Sequence, residues 1–380
     1  MKIAREVFIS ETNCITPIGF SVAANVENIL NGTSGIQLHD DKSLMNQPFY
    51  ASIINERELN EAFAKITQAR HYTKLEKMMI LALNPIVRSN KPDVSKAGLI
   101  LSTTKGNICA LQNAGHDIKG ALLHQLAQTI ADFFGFESEP IVLSNACVSG
   151  IMAVSVGKRL VQSGMYDEVF VVAGDLVSEF VLSGFSSFQA MSELPCKPYS
   201  KNRTGVTIGE AAAAVLITTQ KENAKVRILG DGSINDANHI SGPSRTGEGL
   251  CKSIESALAE ANIESNEIDY ISAHGTATPF NDEMEATAFN RLGLETTPIN
   301  SFKGYYGHTL GASGLLETVI GIESVLQSQL FTSKGFDESG VSQPINVITV
   351  NDNKSIRYFL KTASGFGGSN TAAVFEKVIY

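Results

Sequence analysis

Ile141-Val142-Leu143-Ser144-Asn145-Ala146-Cys147-Val148-Ser149-Gly150 is the stretch from which the fold can be read. After Pro140 it opens on an apolar run long enough for a buried strand, and it closes on small residues. Ile151-Met152-Ala153-Val154-Ser155-Val156-Gly157-Lys158 then reads as the start of a helix. Cys147 therefore falls in the turn, beside the first free backbone N–H groups of that helix. There the positive end of the helix dipole favours thiolate over thiol. A thiolate is a nucleophile, and the neighbouring N–H groups could hold an oxyanion. The competing reading is a buried structural cysteine, which is what most isolated cysteines are.

Outward from this stretch, apolar strands alternate with helical patterns, as they do in α/β folds. Residues 97–102 and 168–175 read as strands buried on both faces, and residues 121–134 as an amphipathic helix. Residues 21–30 and 249–261 read as helices, and residues 74–87 as a helix stopped around Pro85. A strand over residues 268–273 delivers His274. The loop 231–247, rich in Gly, Asn and Ser, is the best candidate boundary, which divides residues 1–246 from 247–380. Strand, loop with a reactive side chain, and helix recur: Pro140-Ile141, Cys147 and Ser149-Gly150 are echoed by Pro298-Ile299-Asn300, His308 and Ser313-Gly314. Two such halves with facing helices would bring the two loops together.

Composition narrows the class. The chain has 380 residues, 43% hydrophobic and 18% charged, with a net charge of −9 and no basic run, which argues against a general nucleic-acid binder. Its apolar stretches are interrupted before they reach the length of a membrane span, and the first residues lack the apolar core of a signal peptide. The cysteines, Cys14, Cys109, Cys147, Cys196 and Cys251, form an odd, scattered set without a CxxC pair. A disulfide framework or structural zinc site is not expected, and a cytoplasmic location is.

Three further stretches carry chemistry. Ala273-His274-Gly275-Thr276-Ala277-Thr278-Pro279-Phe280-Asn281-Asp282 sets a histidine at a strand end, before threonines and a carboxylate. Ser301-Phe302-Lys303-Gly304-Tyr305-Tyr306-Gly307-His308 sets a second histidine in a glycine-punctuated loop. Gly365-Phe366-Gly367-Gly368-Ser369-Asn370 is a glycine cluster between apolar strands. Each has a plain structural reading as turn, cap or solvated loop.

Together with the Cys147 stretch, and in this order, these motifs resemble the elongating class of β-ketoacyl-acyl-carrier-protein synthases, within the thiolase-fold superfamily. The resemblance runs from Thr16-Pro17-Ile18-Gly19 to the last strand and includes the basic loop Lys197-Pro198-Tyr199-Ser200-Lys201-Asn202-Arg203. It implies two pseudo-symmetric βαβ halves in five layers, α-β-α-β-α. It implies that Cys147 takes an acyl chain from a carrier thioester, and that malonyl-carrier then loses CO₂ to give an enolate. His274 and His308 would donate to the enolate oxygen, and the backbone N–H groups of Cys147 and Phe366 would hold the tetrahedral oxyanion. Lys303 would be the active-site lysine, with Asp282 and Glu285 as its carboxylates. Thr276 and Thr278 would bind the phosphopantetheine arm, and Phe366 with Gly367 would form the gate. No other cofactor and no metal is implied. The implied partners are an acyl carrier protein, docked on Lys197, Lys201, Arg203, Lys74 and Lys77, and a second synthase-like subunit, identical or homologous. The fatty-acid, aryl-polyene and polyketide settings all remain open.

Departures from the family pattern are specific. Glu11-Thr12-Asn13-Cys14-Ile15 replaces a glycine-rich turn, Gly209-Glu210-Ala211-Ala212-Ala213 lacks two glycines, and Ser364 stands where phenylalanine is common. The span from Gly106 to Ala121 is short, so the acyl pocket is expected to be reshaped or completed by a partner. A thiolase would need a second cysteine near the carboxy terminus, and an initiating synthase would carry asparagine at His308. A chain-length-setting subunit would have lost Cys147. A cysteine hydrolase would leave Lys303 and one histidine without a task.

Overall fold

A computed structural model describes residues 5–69, 71–112, 118–237 and 242–380. An eleven-stranded sheet organises it, with strands numbered here in chain order: β1 (Phe8–Ile15), β2 (Gly98–Ser102), β3 (Ile141–Leu143), β4 (Glu168–Asp175), β5 (Ala211–Thr218) and β6 (Val226–Asn235). They continue as β7 (Tyr270–Ser272), β8 (Pro298–Asn300), β9 (Asn346–Val347), β10 (Tyr358–Gly365) and β11 (Ser369–Lys377). The order across the sheet is β9-β8-β7-β10-β11-β6-β1-β5-β4-β2-β3.

That order is one five-strand unit used twice, with β9 added parallel to β8 at the edge of the second. In the first half β1 and β4 flank β5 antiparallel, and β4-β2-β3 run parallel. In the second, β6 and β10 flank β11 antiparallel, and β10-β7-β8 run parallel. The halves meet where β1 pairs antiparallel with β6, through Phe8 with Arg227 and Ile9 with Val226. The repeat read from the Cys147 and His308 stretches is thus an architectural one. The boundary expected at residue 246 moves, however: β6 pairs with β11 along its whole length, so the seam lies between Thr218 and Val226. The polar loop that suggested the boundary is a connection inside the second half.

Helices α1 (Lys74–Asn90), α2 (Leu123–Phe134), α3 (Ser149–Ser163), α4 (Glu179–Ser187), α5 (Glu248–Ala261), α6 (Pro279–Arg291) and α7 (Ser313–Gln327) supply the other layers. Helix α1 covers the outer face of the first half-sheet and packs on α2; α5 covers that of the second and packs on α6. Between the half-sheets lie α3 and α7. Both are amphipathic only weakly because both are enclosed, and their small residues let the layers close. On Gly150 a Cβ would lie 2.6 Å from the Leu315 backbone nitrogen, and on Gly314 2.6 Å from that of Ile151. The pseudo-twofold axis passes between these reciprocal contacts.

Pro85 does not stop its helix. Helix α1 continues to Asn90, with Pro85 on its exposed face. Proline removes the N–H that would bond the Leu81 carbonyl. The Asn13 amide, from the first strand, donates to Leu81 O at 3.4 Å and to Ala82 O at 3.1 Å instead.

Substituting Gly150→Ala should force α3 and α7 apart and cost about 1–3 kcal/mol, as overpacking of a tight core does. Urea unfolding measures this; a loss below about 0.5 kcal/mol would mean that the helix contact is looser than described.

Candidate active site

The repeated topology places four loops at one end of the molecule. Cys147 lies between β3 and α3, and His308 between β8 and α7. His274 follows β7, and Phe366 follows β10. The turn at Cys147 is sharp: Ala146 has φ +45°, a left-handed conformation uncommon for a residue with a side chain. A Cβ on Gly365 would approach the Cys147 backbone nitrogen to 3.1 Å, so glycine lets the end of β10 lie against the nucleophile.

Cys147 Sγ is 3.0 Å from His308 Nε2, and the His274 and His308 rings stand nearly perpendicular with centroids 5.3 Å apart. The Lys303 ammonium lies 2.5 Å from the His274 carbonyl oxygen and 3.4 Å from its Nδ1. An ammonium only donates, so Nδ1 of His274 accepts and its ring proton sits on Nε2. At the other ring, Ser313 Oγ is 3.2 Å from His308 Nδ1 and donates to Glu317 Oε1 at 3.1 Å. An ionised carboxylate only accepts, so the Ser313 proton points to Glu317 and the Ser313 oxygen accepts from His308 Nδ1–H. His308 Nε2 then faces the thiol as a lone pair. Glu317, Ser313, His308 and Cys147 form one directed chain.

The charges follow from burial. Desolvation pushes the Cys147 thiol up to about 11, against the pull of Lys303 and Lys105. The thiolate expected from the helix dipole is thus outweighed, and the resting nucleophile is a thiol beside a base. Burial, then Lys303, holds both imidazoles well below their usual range, so both are neutral at pH 7. Burial alone would raise Glu317, but Lys303 and Lys361 together hold its carboxyl below the usual range. Cys147 Sγ and the two histidines offer ligand atoms within 4.8 Å of one another, close enough in principle for a soft dication. The Lys303 ammonium at the same floor opposes one.

Asp282 and Glu285 are not the partners of Lys303. Its carboxylate is Glu317, at 2.7 Å. Glu285 accepts from the backbone N–H groups of His274 and Gly275, and Asp282 from those of Tyr199, Thr276 and Ala277. They pin the histidine loop rather than the lysine. The expected basic patch is largely consumed: Lys74 pairs with buried Glu210 at 2.6 Å, and Arg203 donates to the Ser200 and Gly340 carbonyls. Lys197 pairs with Asp337, Lys201 with Glu338, and Lys77 donates to Asn60. Sequence inspection missed Glu317, Ser313 and Lys361. Only the one-turn spacing of Ser313 and Glu317, on the helix after the His308 loop, could have hinted at a shared face.

A cavity of about 350 Å³ is lined by Cys147, His274 and His308 and also by Thr276, Thr278 and Phe366. The two threonine hydroxyls bond each other at 2.8 Å, and the Phe366 ring packs on Phe185 and Phe188 at 5.6 and 5.3 Å. Gly367 and Gly368, both at φ +85°, follow it. Of the short 106–121 span, residues 113–117 lie outside the described residues, and so do 238–241 of the 231–247 loop. No described helix is long and apolar enough to cross a membrane, and all five cysteines are free thiols.

A thiol raised to about 11 predicts that Cys147 alkylation by iodoacetamide quickens steadily as pH rises from 7 to 10. A rate already level near neutrality would reveal a preformed thiolate. Alkylation read by mass spectrometry separates the two.

Residues 4–223 match the model of the β-ketoacyl synthase amino-terminal domain, and residues 226–336 that of its carboxy-terminal domain. The chain is 24% identical to 3-oxoacyl-acyl-carrier-protein synthase 2 of Vibrio harveyi, over 98% of this chain and 99% of the relative. To the enzyme of that name from Staphylococcus aureus it is 25% identical, over 99% of each. Among solved structures, a chain of the complex of the ketosynthase ApeO with its chain length factor ApeC, from Xenorhabdus doucetiae, superposes with TM-score 0.86 at 25% identity, over 98% of each chain. The ishigamide ketosynthase/chain length factor superposes with TM-score 0.89 at 21% identity, over 99% of this chain and all of that one. The fold is therefore the thiolase-like fold of the condensing enzymes, and this chain belongs to the β-ketoacyl synthase family.

Proposed function

We propose that the condensation catalysed here joins a malonyl unit, presented by an acyl carrier protein, to an acyl chain held on Cys147. The observation that carries this reading is the Cys147–His308 contact of 3.0 Å, with His274 lining the same cavity and Lys303 buried behind it. A neutral thiol with a neutral imidazole lone pair at hydrogen-bond distance is an activated nucleophile. As sulfur attacks the acyl thioester, the thiol proton passes to His308 Nε2. The bond from the acyl carbon to the pantetheine sulfur breaks, and the leaving thiolate takes that proton.

The malonyl thioester enters next. Its carbon–carboxylate bond breaks, CO₂ leaves, and the electron pair makes an enolate. His274 Nε2–H, fixed by Lys303 at Nδ1, is the donor best placed for the enolate oxygen. The enolate carbon attacks the acyl carbonyl and Cys147 leaves as thiolate, which takes up one proton. The backbone N–H groups of Cys147 and Phe366 would hold the oxyanion between these events. His308 serves the sulfur first, a task beyond the enolate contact inferred from the motif.

The phosphopantetheine arm would lie along Thr276 and Thr278, with Phe366 swinging between its phenylalanine neighbours to admit each substrate. A second synthase-like subunit is the proposed partner, against the edge strand β3, whose outer side is unpaired among the described residues. A cytoplasmic setting fits the free thiols. A chain-length-setting role without chemistry is disfavoured, because nucleophile, base and lysine are all in place.

Incubation with acyl-carrier and malonyl-carrier should release CO₂ and a 3-oxoacyl product; free acid alone would point to a hydrolase. Cys147→Ala should abolish the acyl-enzyme. His274→Ala should keep acylation but lose malonyl decarboxylation by about 100-fold or more, the usual cost of an oxyanion donor. Equal loss of both steps would contradict the division of labour.

A further inference from the structure

We propose that Lys361 is a positioning residue of this reaction, holding Glu317 so that the Ser313–His308–Cys147 chain keeps its proton order. The inference rests on the condensing reading above. Lys361 sits on β10, the strand that ends at the Phe366 turn, and its side chain is fully buried. Its ammonium lies 2.7 Å from Glu317 Oε2 and donates to the carbonyls of Ser272 at 3.1 Å and Thr362 at 2.6 Å. Ala273 O, one residue before His274, is 3.4 Å away.

Glu317 is thereby divided. Oε1 accepts from the Lys303 ammonium and the Ser313 hydroxyl, whereas Oε2 accepts no hydrogen bond and faces the Lys361 ammonium only as an ion pair. Without Lys361, Oε2 would be buried with no cation, and the carboxylate could turn away from Ser313. The directed chain to His308 Nε2 would then lose its anchor.

Charge follows the same contacts. Lys303 with Glu317 alone would be a neutral pair; burial pulls the Lys361 ammonium below its usual range while Glu317 works to hold its proton, and the cluster of these three groups then carries one excess positive charge. Thiolate, tetrahedral oxyanion and enolate are all negative, so the excess favours each of them and opposes imidazolium. The other charged groups around the site are few. Glu285, from α6, faces the His274 backbone and the Thr362 hydroxyl. Asp175, at the end of β4, and Lys105, after β2, act on Cys147 in opposite directions. Asp282 is turned to the backbone of Tyr199. Burying an ammonium is costly, and an apolar residue at this place would avoid that cost, so its presence calls for a role.

Wild type, Lys361→Met and Lys361→Arg would be compared for malonyl-carrier decarboxylation and Cys147 acylation from about pH 5 to pH 9. Wild-type condensation checks the underlying reading by itself. Expected for Lys361→Met is a fall in rate of about tenfold and an acid limb moved up by about one pH unit, because the imidazoles protonate more readily once the cation is gone. Lys361→Arg should keep the limb in place. A folded Lys361→Met that loses rate with its acid limb unmoved would make Lys361 merely structural and overturn the proposal. Should Lys361→Met not fold, Lys361→Gln is read the same way, and an unmoved acid limb in that folded variant overturns the proposal.

Discussion

Two buried helices touching backbone to backbone are the constraint on which this molecule depends. Helix α3 carries the nucleophile turn at its amino end and α7 carries the second histidine loop at its own. Glycine at 150 and at 314 lets each helix reach the backbone of the other. A side chain at either place would need space that the two flanking half-sheets do not leave. Because the contact is reciprocal, the loops before the helices converge, and a sulfur and an imidazole 161 residues apart come within 3.0 Å.

Around that meeting point the chemistry is a problem of buried charge. Desolvation works against every ion in the site: it raises the thiol and keeps both imidazoles neutral. Glu317 stays ionised because two ammonium groups embrace it. That arrangement does not provide a resting thiolate. It provides a base with a free lone pair, a donor with a fixed proton, and a positive field that rewards negative charge when it forms. Asp282 and Glu285 serve the same end indirectly, by accepting the backbone N–H groups that shape the His274 loop.

The acidic surface tells a similar story of pairing. Lysines that read as a docking patch along the chain find acids or carbonyls in space. Lys74 is drawn inward by Glu210, which also accepts the Ile54 and Val177 N–H groups. Arg203 is nearly enclosed and ties its loop to the segment around Gly340. Their charge is spent on tying loops to their neighbours.

Much was legible along the chain. Apolar runs set between turns marked the strands, small residues marked the enclosed helices, and Cys147, His274, Lys303, His308 and Phe366 stood in motifs whose local chemistry is readable without coordinates. Local sequence determines local geometry, and each motif is a strand end, a turn and a helix start. The partner of Lys303, the proton order through Ser313 and the role open to Lys361 were decided only by the tertiary structure. So were the place of the seam before β6 and the uninterrupted course of α1, whose proline gap is filled by Asn13. A lysine in an apolar strand, a serine and a glutamate on a helix, and an asparagine in a first strand carry no local signal of each other. Their pairing arises when the layers close and water is excluded, since only then must each buried polar group find its counterpart.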